Sequence, residues 1–208
     1  VQNLAHAYYI TVQYPAGKGI EEVSLRLKKL IESCSYGMVK GGFHTPNHRW
    51  VIASALMMAY TITGIKDFKS TAETYLNEGI DCDENGEFTE RSAGIYNATN
   101  DNALIILAKE MERKDLLEYV KKNLNMMFTY IEPDGTIFTE NSTRQDKSGS
   151  SSLFYPTAYY HLYLYMANQF NDGRYASMAD AILRQSILLD KVPDILYFFM
   201  LNTELKEF

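Results

Sequence analysis

The residues with the clearest potential for chemistry form one short polar stretch, Gly41-Gly-Phe-His-Thr-Pro-Asn-His-Arg-Trp50. It contains two histidines, an asparagine and an arginine within six positions, and such side chains are costly to bury in an ordinary core. Pro46 favours the first turn of a helix, which Thr45 or Asn47 would cap. Because the N-terminus of a helix has unpaired N–H groups and a positive potential, the stretch predicts a binding site for an anion.

A second polar cluster, Glu90-Arg-Ser-Ala-Gly-Ile-Tyr-Asn-Ala-Thr-Asn-Asp-Asn102, precedes the next apolar segment. Ordinary packing favours Leu and Ala at the start of such a helix, but this chain has polar side chains there: Tyr96, Asn97, Asn100 and Asp101. Two interpretations are open. Either Asn or Asp caps the helix while Arg91 forms a surface ion pair, or the cluster contributes a phenol and amides to a functional site.

Several well-known catalytic and metal-binding motifs do not occur in the sequence. It has no Gly-rich phosphate loop, no GxSxG nucleophile elbow and no CxxC pair. His44 and His48 have the i, i+4 spacing of a metal site, but Pro46 lies between them and no HExxH glutamate follows. His161 lies in an apolar, aromatic segment and is predicted to be a core residue. The sequence therefore predicts neither a metal site nor a cofactor.

Two kinds of helical segment alternate along the chain and would position these clusters. Three segments are apolar on all sides, which is typical of helices buried all round: residues 50–60, 103–107 and 158–166. An amphipathic segment follows each of them: residues 66–80, 115–128 and 175–188. Each pair predicts a helical hairpin with a buried inner helix and an outer helix that exposes one face.

The loops between the hairpins repeat as well. Asn85-Gly86 and Asp134-Gly135 are tight-turn dipeptides flanked by short extended pieces, and their glycines are 49 residues apart. A period of this length is typical of repeated helical hairpins. The sequence therefore predicts an all-α fold in which hairpins form an incomplete α/α toroid, with β-hairpin-like turns in the rim loops. We expect residues 1–208 to form one domain, which is either complete or a fragment of a longer protein.

In such a toroid the long loops precede the inner helices, so the N-termini of those helices meet at one loop-rich rim. We expect the functional site at this rim, where the helix ends favour anions. The third rim loop, residues 141–152, is polar and rich in Gly and Ser, which predicts a flexible segment.

The composition excludes several classes of protein. With 46% hydrophobic and 22% charged residues, the 208-residue chain has the balance of a globular protein rather than of a disordered one. A net charge of −6 and a pI near 5.3 argue against a general nucleic-acid binder. The longest apolar stretch, residues 50–60, is too short to cross a bilayer. Two cysteines assign no compartment, and we expect no signal peptide within these residues.

The two clusters together resemble a known family. Thr45-Pro-Asn-His-Arg-Trp50, followed one hairpin later by Glu90-Arg-Ser-Ala-Gly-Ile-Tyr-Asn97, is similar to the heparinase II/III-like and oligoalginate lyase group of polysaccharide lyases. The resemblance implies an α/α toroid that cleaves a uronic-acid polysaccharide by β-elimination, without a cofactor. It implies an acidic polysaccharide or oligosaccharide as the partner and a periplasmic or secreted location. Members of the family have a longer toroid and usually a C-terminal β-sandwich, which cannot be located in these residues.

The resemblance assigns roles residue by residue. Asn47 and His48 match a pair that neutralises the substrate carboxylate, and Tyr96 matches a tyrosine that donates or abstracts the proton. Neutralising the carboxylate stabilises the enolate-like intermediate, as an oxyanion hole does. A tyrosine acts as a base only near a cation, for which Arg49 and Arg91 are the candidates. The other expected substrate-binding residues are His44, Trp50 and Asn97.

The same period leads to a spatial expectation. His48 and Tyr96 are 48 residues apart, which is one hairpin period. If the inner helices are parallel neighbours, the first turns of two of them lie side by side. We therefore expect both side chains to open into one cleft, together with Asn47 and one of Arg49 or Arg91.

Two other functions remain open. A glycoside hydrolase on a similar toroid would use a pair of carboxylates, for which Glu90, Asp101 and Glu140 are the candidates. A non-catalytic glycan-binding or scaffold domain is the third possibility, which the short length of the chain favours. Elimination creates a double bond that absorbs ultraviolet light, hydrolysis releases only reducing ends, and a scaffold produces neither.

Overall fold

The computed structural model describes residues 1–41, 45–147, 153–192 and 195–207, and within these ranges the chain is helical, with only isolated β-bridges as extended structure. The prediction of an all-α fold is therefore confirmed. The nine α-helices of the described residues are α1 (Gln2–Gln13), α2 (Ile20–Lys40), α3 (Pro46–Thr63), α4 (Lys66–Asn77), α5 (Tyr96–Glu110), α6 (Leu117–Tyr130), α7 (Tyr160–Phe170), α8 (Gly173–Leu188) and α9 (Leu196–Leu201). Short 3₁₀ helices cover Lys114–Leu116, Pro156–Tyr159 and Thr203–Glu207. Among the helices of the described ranges, none has the length and apolar composition that a membrane span requires.

The chain folds as two compact units. Unit 1 consists of Val1–Ile80 and Ala103–Lys114, and unit 2 consists of Asp81–Asn102 and Asp115–Phe208. Helices α1 to α4 belong to unit 1, and helices α6 to α9 belong to unit 2. The boundary falls within α5, whose first two turns count with unit 2.

In unit 1, α3 is the central helix, and α4 packs against it. The apolar side chains on all sides of α3 lead to burial along nearly its whole length, from Trp50 through Ala59 to Ile62. Helix α4 buries only Phe68 and Ala72, which are four residues apart and lie on one face. The predicted contrast between a buried inner helix and a one-sided outer helix is confirmed for this pair.

In unit 2, α7 and α8 form the corresponding pair. Helix α8 buries a single stripe: Tyr175, Ala179, Ile182 and Ser186. Helix α7 is buried on more sides, and its Tyr163 ring packs 5.7 Å from the ring of Tyr175 and 5.5 Å from that of Phe128. The buried phenol of Tyr163 donates a hydrogen bond of 2.8 Å to the Leu124 carbonyl, so its polar end is satisfied inside the core.

The two predicted tight turns are present and contain the only extended pairs of the described residues. Cys82 pairs with Phe88 around the first turn, and Ile131 pairs with Ile137 around the second. The glycines that follow Asn85 and Asp134 have φ of +93° and +82°, a conformation that favours glycine. In the first turn, Oδ1 of Asp83 accepts the Asn85 and Glu87 N–H groups at 2.9 Å, which fixes the loop locally.

We expect Gly86→Ala to destabilise the protein far more than Gly79→Ala, although both glycines have nearly the same φ, +93° and +90°. A Cβ at Gly86 would overlap the backbone carbonyl of Lys122 in α6, whereas a Cβ at Gly79 meets nothing within 4 Å. The left-handed backbone alone costs about 1–2 kcal/mol, and moving the α6 backbone costs about 2 kcal/mol more at Gly86. Urea unfolding of the two variants measures the difference. Equal losses of stability would contradict the close contact between this turn and α6.

Candidate functional site

The most developed polar arrangement in unit 2 surrounds Tyr96, the first residue of α5. Its half-buried phenol donates a hydrogen bond of 3.1 Å to Oε1 of Gln145. The guanidinium carbon of Arg144 lies 4.8 Å from the centroid of the Tyr96 ring, a distance typical of a cation–π contact. A proton-carrying phenol therefore lies between an amide acceptor and a positive charge.

A buried carboxylate, Asp146, holds this arrangement together. It accepts hydrogen bonds from the Ser92 hydroxyl at 2.9 Å, the Ser142 hydroxyl at 2.5 Å and the Gly94 N–H at 2.8 Å. The Ser92 oxygen in turn accepts the Tyr96 N–H at 3.2 Å, so it satisfies one of the unpaired donors at the start of α5. Asp146 is 0% exposed. Its hydrogen bond with Ser92, which in turn binds the Tyr96 N–H, links the rim loop to the first turn of α5.

Residues 141–147, the first part of the segment predicted to be flexible, make specific hydrogen bonds, while the flexibility of residues 141–152 stays a prediction. Residues 141–147 are held by the contacts of Asp146 and by a bond of 2.8 Å from the Thr143 hydroxyl to the Glu90 carbonyl. Residues 148–152 lie outside the described part of the chain. Arg144, Gln145 and Asp146 were not identified from the sequence as functional residues. Their only signal was a run of polar residues, which is equally typical of a solvated loop.

The cation beside Tyr96 is Arg144, a residue that no motif in the sequence marks as functional. Arg91 is exposed, with a positive φ of +45°, and its charge acts on another group. Burial raises the pKa of the Glu87 carboxyl, and the nearby Arg91 charge opposes part of that rise. Arg49 belongs to unit 1, where its Nη1 donates to Oε2 of Glu78 at 2.8 Å.

The first polar cluster, in unit 1, is a short chain of hydrogen bonds at the start of α3. Thr45 is the residue before the helix, but its side chain makes no capping bond to the backbone, so the expected cap is not formed. Its hydroxyl donates to Oδ1 of Asn47 at 2.8 Å and lies 2.6 Å from Nδ1 of His48. Because a hydroxyl has one proton, the His48 bond requires a hydrogen on Nδ1. The His48 ring is exposed, whereas Asn47 is 5% exposed.

Three expected substrate-binding residues lie where a ligand has little or no access. Trp50 and Asn97 are both 0% exposed, and Arg49 is 5% exposed with its guanidinium 4.7 Å from the Trp50 ring centroid. The burial of Trp50 follows from helix geometry, since Asn47 and Trp50 are three residues apart and share the inward face of α3. We therefore leave these three residues out of the proposed site. His44, which was also expected to bind substrate, lies outside the described residues.

The carboxylates proposed for a hydrolase have very different surroundings. Asp101 is 0% exposed and Glu90 is 5% exposed, whereas Glu140 is exposed to solvent. Burial raises the pKa of Asp101 well above its ordinary value. Two carboxylates that face one sugar ring are needed for hydrolysis, and only one of these three side chains is open to solvent. The arrangement gives the hydrolase no support.

His161 is half-buried and packs against an aromatic ring, and its Nδ1 has no hydrogen-bond partner among the described residues, so the prediction of a core residue holds only in part. Burial lowers its pKa to about 4, so the ring is neutral at physiological pH. Its Nε2 lies 3.4 Å from Oδ1 of Asn102, and its ring packs 5.1 Å from that of Phe198. Within the described ranges, no three His, Cys, Asp or Glu side chains lie together as candidate ligands for a metal.

The two polar arrangements belong to different units: His48 to unit 1 and Tyr96 to unit 2. That the two side chains open into one cleft stays a prediction. No protein-family model, curated protein or solved structure matches the chain. The roles of these residues must therefore be argued from their own chemistry and surroundings.

Proposed function

We propose that the protein is a polysaccharide lyase that cleaves an acidic, uronic-acid-containing glycan by β-elimination. The observation that carries the proposal is the placement of the Tyr96 phenol between the Arg144 guanidinium and the Gln145 amide. In the reaction, the phenolate takes the proton from C5 of the uronate, a double bond forms between C4 and C5, and the C4–O bond breaks. The phenol then returns its proton to the leaving oxygen, so the cycle needs no oxidant, reductant or cofactor.

Arg144 provides the positive charge beside Tyr96 that the proposed role of Tyr96 as a base requires. A nearby positive charge favours the charged form of an acidic group, which is the form in which a phenol acts as a base. The Arg144 side chain is mostly buried, with 29% exposed, so its charge is screened less by solvent than that of a surface arginine. Oε1 of Glu90 lies 3.9 Å from Nη2 of Arg144, an ion pair that holds the guanidinium on this side of the Tyr96 ring.

His48 is the group proposed to bind the substrate carboxylate. Its exposed ring lies in the first turn of α3, where backbone N–H groups and the helix dipole also favour an anion. Asn47 is buried and acts through the Thr45 hydroxyl, whose oxygen accepts the Nδ1–H of His48 and orients the ring. A substrate carboxylate binds the doubly protonated ring, in which Nε2 also donates. We therefore assign Asn47 a positioning role in carboxylate binding, rather than direct contact.

We also propose a fold, based on the helix pairs within each unit. The pairs α3–α4 and α7–α8 each combine a broadly buried helix with a one-sided helix, as hairpins of an α/α toroid do. The repeated turns at Gly86 and Gly135 add a second periodic feature. On these grounds we propose that these hairpins are of the kind that form an incomplete α/α toroid.

The test is digestion of a panel of uronate polymers (alginate, hyaluronan, heparan sulfate and polygalacturonate), followed by the ultraviolet absorbance of the conjugated product that elimination forms. We expect ultraviolet-absorbing products from at least one polymer, and unchanged activity in Glu140→Gln because a lyase needs no exposed carboxylic acid. New reducing ends without absorbance, together with loss of activity in Glu140→Gln, would identify a hydrolase. Glycan binding without any product would favour a binding domain.

A further inference from the structure

One face of α5 within unit 2 contains an unusual set of buried polar side chains. Asn97, Asn100 and Asp101 have the i, i+3, i+4 spacing that places them on the same side of the helix. Each of the three residues is 0% exposed. None of their six side-chain nitrogen and oxygen atoms has a hydrogen-bond partner among the described residues.

Such a set is unfavourable in an ordinary core. Leaving a buried polar atom unpaired costs about 1–3 kcal/mol, and native proteins pair nearly all of them. The surroundings are largely aromatic: the phenols of Tyr159 and Tyr163 are buried, and the Asp101 charge adds to the rise in their pKa values that burial causes. Both phenols donate to backbone carbonyls, of Ala93 and Leu124, and so do not pair with the carboxylate.

We infer that Asn97, Asn100 and Asp101 form a buried site for a monovalent metal cation, Na⁺ or K⁺. The carboxylate and the two carboxamides provide hard oxygen donors, which alkali and alkaline-earth cations prefer. Asp101 contributes a single negative charge, and neither of its buried carboxylate oxygens has a hydrogen-bond partner among the described residues. One cation of charge +1 therefore neutralises the site, whereas a divalent ion would leave an uncompensated buried charge.

The three side chains do not suit zinc, copper or an organic ligand. The set lacks the thiolates and imidazoles that zinc and copper prefer. The six polar atoms have no exposed surface, so a sugar or another organic ligand cannot reach them without unfolding the first turns of α5. Because Asn97 directly follows Tyr96, the bound cation would also rigidify the turn that presents the phenol.

The experiment compares thermal unfolding of the full chain in NaCl, KCl and tetramethylammonium chloride at the same ionic strength. Tetramethylammonium supplies the charge but is too large for a site formed by three adjacent side chains. We expect Tm to be higher by about 3–5 °C in NaCl or KCl, the shift for a cation at about ten times its Kd. Equal Tm values in the three salts would overturn the proposal and leave ordered water as the occupant.

Asp101→Asn tests the assignment to this carboxylate. The substitution keeps the shape and removes the charge, so Tm should no longer depend on the cation, while the control Asp180→Asn, at an exposed position of α8, should respond like the unmodified chain. A full cation response in Asp101→Asn would overturn the proposal. If that variant does not fold, Asn97→Ala takes its place, and the salt concentration at half-maximal Tm shift should rise about tenfold with the loss of one oxygen ligand.

Discussion

Tyr96→Phe is expected to lower kcat on the uronate polymer by at least about 100-fold, the contribution that general acid–base catalysis typically makes. The substitution removes only the phenolic oxygen, so the ring remains beside Arg144, and the bond to Gln145 is lost. Substrate contacts made by other residues are unchanged, and KM should stay within about threefold of its original value. Initial rates from ultraviolet absorbance over a range of substrate concentrations separate the two parameters.

Two further variants test whether the loss of kcat is specific to the phenol of Tyr96. Tyr119→Phe removes a phenolic oxygen from a half-buried tyrosine on α6 and should leave kcat unchanged. His48→Ala should raise KM as well as lower kcat, because a carboxylate ligand acts in the ground state and more strongly in the transition state. Full activity of Tyr96→Phe would exclude Tyr96 as the proton carrier and with it the proposed mechanism.

The cation site and the lyase mechanism can fail independently of each other. The salt dependence of Tm requires no substrate, and the kinetic comparison of Tyr96→Phe requires no metal. A chain that responds to K⁺ but cleaves no glycan would keep the Asp101 site and lose the lyase proposal. A chain that cleaves glycans with equal Tm in all salts would do the opposite.

The helices and turns could be predicted because their signals are local. Helix α3 is apolar on every side, and this composition alone predicts burial all round. Asn85-Gly86 and Asp134-Gly135 encode their positive φ values directly, since glycine populates that region at little cost. In each case the residues that decide the structure lie within a few positions of one another.

The surroundings of Tyr96 could not be predicted in the same way. Arg144 and Gln145 reach Tyr96 from 48 and 49 positions further along the chain, and nothing in a polar loop specifies which residue it will contact. Sequence proximity was also misleading in the first cluster. Arg49 and Trp50 adjoin His48, but a helix turns about 100° per residue, so neighbours in sequence point in different directions.

The interior of unit 2 shows a second reason why the sequence does not predict the surroundings of a side chain. Asn97 and Asp101 are polar residues at a helix start, and the sequence favoured either a capping role or an exposed functional role for them. Ser92 satisfies the Tyr96 N–H instead, and the two side chains face the core. Burial depends on which elements cover a helix face, and the polarity of the residues does not reveal it.

Asp146→Ala is expected to destabilise the protein by about 3 kcal/mol or more, because it leaves three buried donors without their acceptor. Those donors are the hydroxyls of Ser92 and Ser142 and the Gly94 N–H. The Gly94 backbone also packs closely against Phe154, since a Cβ at Gly94 would lie 2.9 Å from Cγ of Phe154. Urea unfolding measures the loss, and Asp180→Ala, which removes an exposed carboxylate of α8, should change stability little.

The conservative variant Asp146→Asn connects this stability effect to the proposed function. An amide keeps one acceptor oxygen but turns an N–H group towards at least one of the three donors, so the chain should fold with the rim loop held less firmly. Because Arg144 and Gln145 directly precede Asp146, loosening the loop displaces both of them from the Tyr96 phenol. We expect kcat to fall about tenfold with KM nearly unchanged, the pattern of a group that positions a proton carrier and does not bind substrate. A variant that loses stability but retains kcat would show that the Asp146 network supports only the fold, and that Tyr96 does not depend on this loop.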